Sequence, residues 1–167
     1  FGNKITCGSW KDIWLNEGFA TYLSGLVVEN FETENSFTSW KQSRINSITS
    51  QPSGSVYITN NDTTVARVFS SRLSYSKGAM VLHMLRKKLG DDPFFQSLRD
   101  YLSDQDLSYS YAKTDDLKSI IQESSGEDVT EFFDDWIYGE GYPSYQINWS
   151  HNSQGTVDFE VSQLQSH

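Results

Sequence analysis

Apolar residues recur at helical spacing along most of the chain as far as Tyr138, and the pattern then changes. Ile13, Trp14, Phe19, Leu23 and Leu26 predict a helix from Ser9 to Glu29, with Ser9 and Asp12 placed as a capping pair. Gly18 and Gly25 interrupt it. Glycine inside a helix costs about 1 kcal/mol against alanine, so these positions suggest a close approach by a neighbouring element. Phe37 to Ile48 predicts a weaker second helix. A Ser/Gly/Asn-rich stretch from Thr49 to Thr64 follows, with Pro52, Gly54 and Asn60-Asn61-Asp62, and reads as the longest loop. A further helix runs from Tyr75 or Ser76 to Leu89, with Leu82, Leu85 and Leu89 in one stripe and Gly90 as its stop. Asp91-Asp92-Pro93 opens the next, faced by Phe94, Phe95, Leu98, Tyr101 and Leu102. Thr114 opens another, closed by Gly126, and Thr130 to Tyr138 is a short aromatic one.

After Pro143 the period becomes two. Tyr145, Ile147 and Trp149 alternate with polar residues, as do Val157, Phe159 and Val161, around a turn-like Asn152–Gly155. A lone hairpin is barely stable, so it reads as the start of a second unit. The expected fold is mainly α over residues 1–143, with a truncated β unit over 144–167.

With 167 residues the chain has room for one domain and part of another. A net charge of −9 argues against nucleic acid and anionic membrane surfaces as partners, since both repel it. No apolar run approaches the roughly 20 residues of a membrane span. The single cysteine, Cys7, excludes an internal disulfide and a cysteine-based metal cluster. The opening Phe1-Gly2-Asn3, without Met or leader, is read as the interior of a longer protein. An acidic surface rich in Ser, Asn and Thr suggests a secreted or cell-envelope setting.

The segment with most chemical content is Asn16-Glu17-Gly18-Phe19-Ala20, a carboxylate one turn into a helix between Trp14 and Phe19. By residue type alone, Glu17 is a solvated helix glutamate. The longer string Trp14-Leu15-Asn16-Glu17-Gly18-Phe19-Ala20-Thr21-Tyr22 resembles the W-L-N-E-G-F-A-x-Y segment of the alanyl aminopeptidase (aminopeptidase N-like) family of gluzincin zinc metallopeptidases. Phe1-Gly2-Asn3 matches the end of that family's H-E-x-x-H-Q-W-F-G-N block. Counting the family's ligand spacing back from Glu17 puts the second zinc histidine three places before Phe1, where the block also places it. Leu73-Ser74-Tyr75-Ser76-Lys77-Gly78-Ala79 resembles the Y-x-K-G-A segment, Tyr111 to Leu117 the x-A-x-T-x-D-L helix start, and Trp136 to Pro143 the W…G-Y-P close of the catalytic domain.

The resemblance implies the helical C-terminal lobe of a thermolysin-like catalytic domain, followed by the start of a β-sandwich. It implies Zn2+ in the longer protein, with Glu17 as third protein ligand and Tyr75 as hydrogen-bond donor to the oxyanion. Asn16 and Asp12 are candidates for supporting the metal ligand, although capping already accounts for Asp12. Substrates would be peptides with a free N-terminus. The two zinc histidines and the general-base glutamate would lie upstream, so this chain alone is expected to bind no catalytic zinc and to be inactive, and to self-associate through its uncovered first helix or the hairpin edge. Two other readings stay open: a non-catalytic binding module on the same fold, and an epoxide hydrolase of the same family. Lys77 is expected to be solvated or ion-paired, His83 and His151 to be exposed, and Cys7 to be an unreactive thiol.

Overall fold

The computed structural model describes residues 1–59 and 62–167. Asn60 and Asn61 of the long loop lie outside the described residues. Strand β1 (Ile5–Cys7) is followed by a 3-10 turn (Trp10–Asp12) and α1 (Trp14–Phe31), α2 (Glu34–Ile48) and α3 (Val65–Val68). A π-helical segment (Ser71–Lys77) leads into α4 (Gly78–Leu89), and α5 (Asp91–Ser103), β2 (Ser110–Ala112) and α6 (Thr114–Ser125) follow. The short α7 (Thr130–Phe133) continues as a second π-helical segment (Asp134–Tyr138), and β3 (Pro143–His151) and β4 (Val157–Gln165) end the fold.

α1 is the central element. It buries Trp14, Leu15, Phe19 and Tyr22 against α4, α2 and β1, and Phe1 stacks on Phe19 at 4.1 Å. The main core joins these residues to Leu82 and Leu85 of α4, Phe94 and Tyr101 of α5, and Leu117 and Ile121 of α6. A smaller cluster unites Ile13, Ile58 and Val68.

The expected first helix is split. Ser9 caps only the 3-10 turn, accepting from the Lys11 N–H at 3.0 Å, and Asp12 is not its partner. Asp12 is buried, and its Oδ1 accepts from the Thr114 N–H and hydroxyl at 2.9 and 2.7 Å. A carboxylate drawn inward by another helix's start cannot also close a capping box at the surface. α2 begins three residues earlier than its apolar pattern suggests, because the Thr33 hydroxyl accepts from the Ser36 N–H. The helix expected from Tyr75 begins at Ser71, where Ser70 caps by accepting from the Leu73 N–H. α6 opens at the expected Thr114, with the Asp116 carboxylate taking the Lys113 N–H at 2.7 Å.

The stretch expected to be a long loop is strapped to the body. Val56 and Ile58 are fully buried, the Tyr57 N–H donates to the Ile137 carbonyl, and the Ile58 N–H donates to the Lys11 carbonyl. The hairpin forms in the expected place, antiparallel, with Ile147 opposite Val161 and Trp149 opposite Phe159. Its apolar face is uncovered: Trp149 is 69% and Phe159 67% exposed. The parallel pairing of β1 with β2, with Ile5 opposite Ser110, had no counterpart in the sequence reading, because three-residue strands leave no period to detect.

Candidate metal and oxyanion site

Glu17 lies in the first turn of α1, its N–H bonded to the Ile13 carbonyl and its own carbonyl accepting from the Thr21 hydroxyl at 2.7 Å. It is half-buried and lines an open concavity of about 370 Å³ with Phe1, Gly2, Asn3, Asn16, Ala20 and Leu23. Asn16 forms the wall between this hollow and a neighbouring one lined by Cys7, Trp10 and Ile13. Its Oδ1 accepts from the Cys7 N–H at 3.1 Å, which ties β1 to the start of α1. Asp12 holds the same region from the other end through Thr114, and Trp14 Nε1 adds a bond to the Thr114 hydroxyl at 3.0 Å. The side chains flanking Glu17 thus have their bonds with the protein frame.

Tyr75 sits in the π-helical segment ahead of α4. Its phenol lies near enough to Glu17 to feel that carboxylate. Burial, then the negative charge of Glu17, then a hydrogen bond to that carboxylate raise its pKa above the ordinary tyrosine value. π-helical turns are rare and recur at functional sites, since the extra residue re-aims one side chain. The two elements meet backbone to backbone: a Cβ on Gly18 would lie 3.1 Å from the Gly78 Cα and carbonyl carbon. The Glu17–Tyr75 pair therefore sits at the point where α1 and the Tyr75–α4 segment come closest.

This geometry supplies one carboxylate donor for a cation and one phenolic donor for a developing negative charge. Catalytic zinc takes three protein ligands. Among the described residues, no group of three His, Cys, Asp or Glu side chains gathers to hold a metal.

Three expectations about nearby residues are corrected. Lys77 is neither solvated nor ion-paired. It is buried, and Nζ donates to the carbonyls of Gly54 at 2.8 Å, Gly141 at 2.9 Å and Gly139 at 3.5 Å. Burial, with a smaller contribution from Arg72, lowers its pKa to about 8. His83 is not exposed: it packs between the rings of Tyr22 and Phe37, and burial lowers its pKa, helped by Lys41 and Lys87. Asp12, expected as a surface cap, is a buried tie to α6. Cys7 is a half-buried free thiol with its pKa raised by burial, and His151 is exposed at the end of β3.

Residues 1–136 match the family model for the peptidase family M1 domain. The chain belongs to the M1 peptidase family. Aminopeptidase M1-A of Oryza sativa subsp. japonica is 35% identical over 173 residues, covering 99% of this chain and 19% of that protein. Aminopeptidase N of Lactococcus lactis subsp. lactis is 31% identical over 150 residues, covering 86% of this chain and 17% of that protein. This M1 chain therefore spans less than a fifth of the length of these relatives. Among solved structures, an M1 zinc metallopeptidase mutant from Deinococcus radiodurans superposes with a TM-score of 0.72 at 28% identity, over 86% of this chain and 32% of that one. The same mutant bound to a Tyr-Ser-Ala substrate gives 0.73 at 27% identity, over 86% and 31%. The mainly α lobe with a terminal hairpin is thus an M1 peptidase fold.

Proposed function

We propose that this chain is the helical lobe of the catalytic domain of a zinc aminopeptidase that removes N-terminal residues from peptides. Glu17 is one of three protein ligands to Zn2+, which when bound polarises the scissile carbonyl and activates water. Tyr75 donates a hydrogen bond from its phenol to the oxyanion that forms on that carbonyl. Residues 1–143 belong to the catalytic domain and 144–167 begin a β-sandwich.

The observation that carries this reading is the meeting of Glu17 and Tyr75. Motifs matched by accident would have no reason to bring their two chemical side chains together from elements 58 positions apart in sequence. A raised phenol pKa suits the role, because the hydroxyl keeps its proton at neutral pH and can donate it as a hydrogen bond. Asn16 and Asp12 support Glu17 indirectly, by fixing β1 and α6 against the first turn of α1. The hollow beside Glu17, which Phe1 and Leu23 also line, is open and has room for further donors.

Three measurements test this. In the longer protein, Tyr75→Phe should lower kcat on an aminoacyl-anilide by about 10²-fold or more while leaving KM within a few-fold, the size of effect seen on removing an oxyanion donor. An unchanged kcat would remove Tyr75 from the chemistry. The 167-residue chain alone should show no chelator-sensitive turnover, and sedimentation should show it self-associating, since the face bearing Ile147, Trp149, Phe159 and Val161 is uncovered.

A further inference from the structure

We propose that Gly18 and Gly78 are positioning residues: their missing side chains set the separation between Glu17 and Tyr75. This rests on the reading of those two residues given above and extends it to the spacer between them. Gly18 directly follows Glu17 on α1, and Gly78 opens α4 three residues after Tyr75. Both are buried, and each is the other's nearest obstacle. A Cβ on Gly18 would meet the Gly78 Cα and carbonyl carbon, both at 3.1 Å, and the Ala79 nitrogen at 3.5 Å. A Cβ on Gly78 would meet the Gly18 Cα at 3.1 Å and the Trp14 Cβ at 3.6 Å.

The obstacle in each case is main chain, not the flexible end of a side chain. It cannot swing aside as a rotamer would, so an added methyl is accommodated by a shift of one element against the other of about a few tenths of an ångström. The moving elements are those that carry the carboxylate and the phenol. α1 contains a second close approach that serves as an internal comparison. A Cβ on Gly25 would lie 2.6 Å from Trp40, an indole on α2, two turns along and away from Tyr75. Crowding at Gly25 meets an indole side chain of α2, not the main chain of the Tyr75–α4 segment.

The test uses the 167-residue chain with 13C at Tyr Cζ, a carbon whose resonance reports what the phenol oxygen bonds. The Tyr75 signal is assigned by its loss in Tyr75→Phe, and Glu17→Gln gives its position without the carboxylate. In Gly18→Ala and in Gly78→Ala the resonance should move measurably from the wild-type position toward the Glu17→Gln position, with the rest of the spectrum folded. In Gly25→Ala it should stay at the wild-type position even though the melting temperature falls. The two alanine variants load one contact from opposite sides, so either one that folds decides the matter. An unmoved Tyr75 resonance in a folded Gly18→Ala or Gly78→Ala, or an equal shift in Gly25→Ala, overturns the proposal. Unfolding of both while Gly25→Ala stays folded also overturns it, since the crossing would then be an element of stability alone. The readout needs neither metal nor turnover, so it can fail while the aminopeptidase reading stands, and the reverse.

Discussion

The carboxylate of Asp12 and the hydroxyl of Thr114 meet at 2.7 Å across 102 positions of sequence, and the same carboxylate oxygen takes the Thr114 N–H. This buried pair joins the turn before α1 to the first residue of α6. It thereby fixes the end of the molecule from which Glu17 projects. Asp12→Ala removes the acceptor for two buried donors. Each such donor left unsatisfied costs about 1–3 kcal/mol, so the loss expected in urea denaturation is about 3 kcal/mol. Thr114→Val keeps the shape and the backbone donor but strips the hydroxyl from Asp12 and from the Trp14 indole N–H, and should cost a comparable amount. Small effects for both would mean that the pair does not hold the two elements together.

Lys77 clamps two segments of main chain through three carbonyls. Its ammonium lies between the carbonyls of Gly54, Gly139 and Gly141, joining the long strap to the segment that leads into the hairpin. Lys77→Met should cost about 2 kcal/mol, the balance between lost hydrogen bonds and relief from burying a charge. The pH dependence separates these contributions. The folded lysine gives up its proton at about 8, whereas the unfolded one holds it to about 10.5. The unfolded state therefore binds more protons between those values, and stability rises with pH across that window. The difference in denaturant midpoint between wild type and Lys77→Met should shift in favour of the wild type from pH 7.5 to pH 10.

His83 gives a dependence at the acid end. Its imidazole is buried between Tyr22 of α1 and Phe37 of α2. Lys41 of α2 and Lys87 and Arg86 of α4 disfavour its charged form, and Glu29 of α1 only partly opposes them. Its folded pKa lies below the ordinary 6.5. Its contribution is thus complete above 6.5 and is lost as pH falls below it, where the unfolded chain takes up the proton first. The difference in melting temperature between wild type and His83→Gln should shrink from pH 7.5 to pH 5.5. A constant difference would show that His83 titrates alike in both states.

Helices with a clear apolar stripe were legible in the sequence. α5 and α6 lie where Pro93, Thr114 and Gly126 mark their boundaries, and the hairpin follows its alternation residue by residue. Errors arose where a polar residue's partner is distant in sequence. Asp12 looks like a cap beside Ser9 because nothing local points to Thr114. Lys77 and His83 look exposed because a lone charged or imidazole side chain carries no sign of its burial. The strap through Val56 and Ile58 looked like a free loop, since its bonds come from Lys11, Ile137, Lys77 and the Arg72 guanidinium, which donates to the Ser53 carbonyl at 2.8 Å. Glu17 and Tyr75 were found by motif. That they meet depends on the Gly18–Gly78 contact, and a glycine's value as a spacer is visible only once both helices are in place.

The central claim is that the Glu17 carboxylate faces a divalent cation beside the Tyr75 phenol. Zinc content per chain, measured on the longer protein after gel filtration, tests it most directly. The account predicts close to one zinc in the wild type and in Tyr75→Phe, and a loss of most of it in Glu17→Ala. Full zinc retention in a folded Glu17→Ala protein would contradict it.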